Sequence, residues 1–119
     1  MKAVLSMVAV LCLVATCEAG QEVIQYARTR NVSALSGTVT DPSGAAIPNV
    51  QVCSMTAGWR RELQCATTNA EGRWTLPPRS GANTYQLRFM KDGFQQVWIR
   101  VRLTKRKVVP FRVTLPVAT

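Results

Sequence analysis

Cys53 and Cys65 are the residues of this chain best placed for covalent chemistry. They lie symmetrically about Trp59. If residues 56 to 60 form a hairpin loop, the two Cys face each other across paired strands and a disulfide follows. Such a bond closes a thirteen-residue loop. By chain-entropy arguments a crosslink of that size is worth about 3 kcal/mol. A pair of reduced, buried thiols is the alternative. Zinc is not, because two Cys without a His or a neighbouring carboxylate pair cannot fill a tetrahedral shell.

Acid-base and nucleophilic chemistry fail on residue count. The chain has no His and six acidic residues. Asp41, Glu71 and Asp92 sit in turn sequences, where such side chains cap or solvate the backbone. That leaves no convergent carboxylate pair and no base to activate a Ser or Thr. There is no phosphate-cradling glycine loop either. The chain is therefore read as non-catalytic, with no cofactor and no metal.

Binding chemistry rests on charge and aromatic rings. Fifteen Lys and Arg against six Asp and Glu give a formal charge of +9. Arg88, Arg100, Arg102 and Arg112 alternate to the outer side of three strand-like runs, with Trp98 among them and Lys105, Arg106 and Lys107 in a turn at the edge. If those strands share a sheet, they form a cationic face for a glycan or anionic polymer; nucleic acid is not expected. The plainer alternative is the polar, wet side that any antiparallel sheet carries. Trp59, beside Arg60 and Arg61, either offers an indole to a sugar ring or folds back over the sheet end.

These residues need strands to position them. From residue 35 onward, short β-rich runs alternate with strong turn signals, the pattern of an all-β sandwich. The runs span residues 35 to 40, 50 to 55, 61 to 68, 73 to 76, 85 to 90, 96 to 103 and 108 to 115, making seven strands. Asp41-Pro42-Ser43-Gly44 and Asn69-Ala70-Glu71-Gly72 separate them as turns, and Pro77-Pro78 stops the fourth. Alternation puts Tyr85, Leu87 and Phe89 inward, with Val97, Ile99, Val101 and Leu103 and with Val109, Phe111, Val113 and Leu115. Val39, Val50, Val52, Trp74 and Leu76 complete the expected core.

Ahead of this block, Lys2 and an uncharged apolar run to Ala15 have the make-up of a signal peptide, with cleavage expected after Ala19. Residues 1 to 19 are then the leader, 20 to 33 a flexible or loosely docked lead-in, and 34 to 119 the domain. Export to the periplasm or medium, and another exported or envelope protein as partner, follow from that. Val14-Ala15-Thr16-Cys17 loosely matches a lipobox, so a lipid anchor at Cys17 is the alternative. Asn31-Val32-Ser33 is a glycosylation sequon only in a eukaryotic host.

Three blocks resemble a known family. Residues 36 to 52 (SGTVTDPSGAAIPNVQV), 69 to 77 (NAEGRWTLP) and 85 to 89 (YQLRF) with Gly93-Phe94 are similar, in order, to the signatures of carboxypeptidase regulatory-like domains. The same prealbumin-like modules also precede the plug of TonB-dependent receptors. The resemblance implies a seven-stranded Greek-key sandwich of the prealbumin or transthyretin type. It also implies an accessory, non-catalytic role, since the fold's enzymes rely on His residues that this chain lacks. The loop at residues 79 to 84 departs from the Pro-Gly-rich turn of the family, and the Cys pair lies outside its pattern. A carbohydrate-binding or polyanion-binding role is the alternative function.

Overall fold

The computed structural model describes residues 23–107 and 110–119. The expected leader, the Cys17 lipid-anchor site, Val108 and Val109 lie outside the described residues.

Nine strands and no helix are present among the described residues: β1 (Val23–Gln25), β2 (Arg30–Val32), β3 (Ser36–Thr40), β4 (Gln51–Met55), β5 (Glu62–Thr67), β6 (Arg73–Thr75), β7 (Thr84–Met90), β8 (Gln96–Leu103) and β9 (Arg112–Thr114). The large sheet has the order β1-β8-β7-β4-β5, with β2 also on β8, and the small sheet has the order β6-β3-β9. Period-two patterning drives the arrangement. In β8, Val97, Ile99 and Val101 are fully buried while Trp98, Arg100 and Arg102 face away from the core. The inner faces of the two sheets bury one cluster, in which Trp74, Phe89 and Phe111 meet edge to face with ring centroids 5.6 to 6.3 Å apart.

All seven expected strands are present, with shifted ends. Among the described residues the last is represented by β9, which begins after Pro110, a residue with no N–H for a ladder. The expected core residues within the described part of the chain are buried, apart from Leu103, which is half-buried. Val32, Leu35 and Ile47 join them.

Of the two readings of the lead-in, the docked one describes the pairing: it lies parallel to β8, with Val23 opposite Gln96 and Val32 opposite Leu103. Four residues, Tyr26 to Thr29, bulge between registers that on β8 are separated by only Ile99 and Arg100. Val32 reaches the core at 2% exposure, and the Arg30 guanidinium lies 5.0 Å above the Phe111 ring. Sequence concealed this because only single apolar residues are buried and no alternation is sustained.

Side chains hold the turns. The Asp41 carboxylate accepts from the Ser43 N–H and hydroxyl and from the Ala45 N–H. Asn69 Oδ1 accepts from the N–H groups of Glu71 and Arg73. The buried Thr68 hydroxyl donates to the Ile47 carbonyl at 2.7 Å and accepts from the Val50 N–H at 2.8 Å, anchoring the far end of β5.

Candidate functional site

The outer face of the large sheet and its β5 edge carry the site. Cys53 and Cys65 stand directly opposite in the β4–β5 ladder, with Cα atoms 4.0 Å apart, and are joined as a disulfide. The ladders continue that row across the sheet, from Cys53 to Arg88, from Arg88 to Trp98 and from Trp98 to Gln25.

The hairpin loop covers this row. Trp59 adopts a left-handed backbone (φ 60°), its N–H donating to the Thr56 carbonyl, and its indole lies on Trp98 with centroids 4.8 Å and planes 17° apart. Arg88 forms an ion pair with Glu62, with only 15% of its side chain exposed. Cys53 and Met55 are buried on this side, outside the main core cluster. The expected wet face is thus, over its middle, a second small buried layer.

That arrangement redistributes the sequence-predicted surface. Trp59 and Trp98 come together, so Trp59 is folded back rather than displayed at a tip. Arg88, Arg100 and Arg102 share the large sheet, but Arg88 is neutralised by Glu62. Arg112 does not join them, which corrects the single cationic face expected of the four. It sits on β9, which pairs with β3 in the small sheet. Arg100 and Arg102 remain on the outer face, with Lys105, Arg106 and Lys107 exposed at the strand end.

Two features were not anticipated. The first is the edge of β5, which among the described residues pairs only with β4. A Cα spacing as short as that of Cys53 and Cys65 marks a non-hydrogen-bonded pair. Thr68 bonds back to Val50 and Asn49, which fixes the same phase. The N–H and C=O groups of Cys65 and Thr67 therefore point outward from the sheet. Leu63, at the irregularity between Ser54 and Met55, is 39% exposed.

The second is a groove of about 370 Å³ at the start of β5, lined by Met55, Ala57, Leu63, Arg79, Thr84 and Gln86, among others. Gln86 is 8% exposed and its Nε2 has no hydrogen-bond partner. The Tyr85 hydroxyl holds the adjoining loop, accepting from the Arg79 N–H at 2.9 Å and donating to the Ala82 carbonyl at 3.1 Å. This clamp is the ordered counterpart of the turn that departs from the family pattern. A polar Gln between Tyr85 and Leu87 was the sequence signal, hidden because its position alternates outward.

No match to this chain was found among the curated proteins. A scan against family models matches residues 34–116 to the carboxypeptidase regulatory-like domain, whose members are non-catalytic β-sandwich modules. The match spans β3 to β9, the disulfide hairpin included, and stops short of β1 and β2. This chain belongs to the carboxypeptidase regulatory-like domain family.

Proposed function

We propose that the domain is exported and works as a non-catalytic interaction module, taking an extended segment of another exported or envelope protein along the edge of β5. The observation that carries this reading is that edge, with its two outward-facing backbone pairs at Cys65 and Thr67. Natural sheets blunt such edges, and one left open is a template for strand addition. The apolar leader favours export, and a disulfide persists in an oxidising compartment.

The glycan and polyanion alternative has less to stand on. Stacking occupies one face of each candidate indole, and the arginines divide between two sheets and an ion pair. Intrinsic fluorescence titrated with heparin and neutral glycans is expected to stay flat.

The decisive experiment places a photo-crosslinking residue at Gln64 in the producing cell. A discrete adduct with one envelope protein is expected. Thr67→Pro removes an outward N–H without breaking a β4–β5 hydrogen bond, so the variant folds and the adduct disappears. An adduct that survives Thr67→Pro overturns the reading.

A further inference from the structure

We propose that the groove at the start of β5 holds the free carboxylate of a polypeptide C-terminus. The inference rests on the edge-strand reading above and names which part of the partner is recognised.

One donor that lines the groove has no partner. Gln86 is more than nine-tenths buried, and its Nε2 makes no hydrogen bond. A buried donor left unpaired costs about 1–3 kcal/mol, a cost that a ligand oxygen would remove. Arg79 lines the same groove, with its guanidinium 5.3 Å from the Tyr85 ring and its backbone N–H held by the Tyr85 hydroxyl. Thr56, also in the lining, accepts from the backbone N–H groups of Arg60 and Arg61, which fixes the hairpin loop at the rim of the groove. The lining contains no carboxylate, and the nearest on β5, Glu62, is engaged by Arg88. A buried amide donor and an arginine lining one groove suit a carboxylate, which can accept charge-assisted hydrogen bonds. Met55, Ala57 and Leu63 supply an apolar wall, which fits an apolar last side chain.

Strand direction selects a peptide over a sugar acid. A segment added antiparallel to β5 runs from Thr67 toward Glu62 and so ends at Leu63, where the groove begins. Its backbone would use the open groups of Cys65 and Thr67, which a uronic acid cannot.

The test is amide NMR on the full oxidised chain. N-acetyl-Val-Leu as the free acid is expected to shift the Gln86 side-chain amide and the Leu63 and Thr84 signals saturably. Its C-terminal amide should bind at least about tenfold more weakly, the loss of one charge-assisted contact. Gln86→Glu, which puts an acceptor where the donor was, should abolish the shifts. Arg79→Gln, at an exposed position that leaves the core intact, should weaken them about tenfold. Equal binding of acid and amide, no shift with either, or the same shifts at lower concentration with glucuronate overturns the proposal.

A Val- and Thr-rich octapeptide ending in Leu separates this inference from the one it rests on. If the dipeptide fills the groove but the octapeptide leaves the Cys65 and Thr67 amides unmoved, the edge reading fails and the groove stands. If the octapeptide shifts those amides equally as acid and amide, the edge stands and the groove inference fails.

Discussion

Single residues set this fold's turns, and two of them make the point measurable. Gly72 has φ +75°, and a Cβ built there would lie 2.6 Å from the Val39 carbonyl oxygen. Its own carbonyl accepts from the Val39 N–H, so the backbone cannot drift away. Gly72→Ala is expected to destabilise by about 2 kcal/mol or more, read as a lower urea midpoint with unchanged slope. Asp41 acts through charge. The Ser43 hydroxyl, then the Ala45 N–H, hold its carboxyl below the ordinary value of 3.8. A lowered folded value means that the ionised form is favoured by folding. Its stabilisation is full above the unfolded value and is lost as pH falls through the folded one. Thermal scans from pH 6 down to pH 2 should show that loss, and Asp41→Asn should flatten it. Both positions were legible in sequence as turn residues, because positive φ and side-chain capping are local demands. The Val39 carbonyl that makes Gly72 irreplaceable was not, since it comes from a strand more than thirty positions away.

At the scale of elements, the β4–β5 hairpin is fastened twice, by the disulfide and by the Trp59–Trp98 stack. The left-handed backbone at Trp59 costs roughly 1–2 kcal/mol for a residue with a Cβ, so the stack must offset it. Trp59→Ala keeps the unfavourable backbone and loses the indole. It should uncover Trp98 and remove the coupled-indole band from the circular dichroism spectrum, while the oxidised fold persists. Reduction, or Cys53→Ala with Cys65→Ala, is expected to cost about 3 kcal/mol, checked by denaturant midpoints of oxidised and variant proteins. The cross-strand pairing could be read from symmetry about Trp59. What the loop covers could not, because alternation assigns Arg88 and Trp98 to water whenever nothing folds over them. The same blindness placed Arg112 beside Arg100. Periodicity gives each strand's two sides but not which sheet it enters, and the partner of β9 is β3.

For the whole molecule, the unit that folds is larger than the unit the family defines. The sandwich class and most of its core followed from alternation and turn chemistry, which repeat along the chain and survive any choice of topology. The lead-in did not, because its attachment is made of scattered contacts. The Tyr26 N–H donates to the Trp98 carbonyl at 3.0 Å, the Thr104 N–H donates to the Val32 carbonyl at 2.8 Å, and Arg30 covers Phe111. Each is small alone, yet together they occupy the edge of β8, which would otherwise lie open on the side opposite β5. Burying Val32 contributes roughly 1.5–3 kcal/mol before the entropy of ordering the segment is subtracted. A protein begun at Ala34 should therefore still fold, since the core cluster is nearly complete without the lead-in. It should be less stable by about 1–2 kcal/mol than one begun at Gly20, because the backbone hydrogen bonds of β1 and β2, the Arg30–Phe111 contact and the burial of Val32 together slightly exceed the entropy of ordering the segment. Analytical ultracentrifugation should also show it self-associating, as the exposed β8 edge seeks a partner. Val32→Asp in the longer protein should reproduce the stability loss by placing a charge at the same buried position. Equal stability of the two lengths would mean that β1 and β2 lie on the sandwich without holding it.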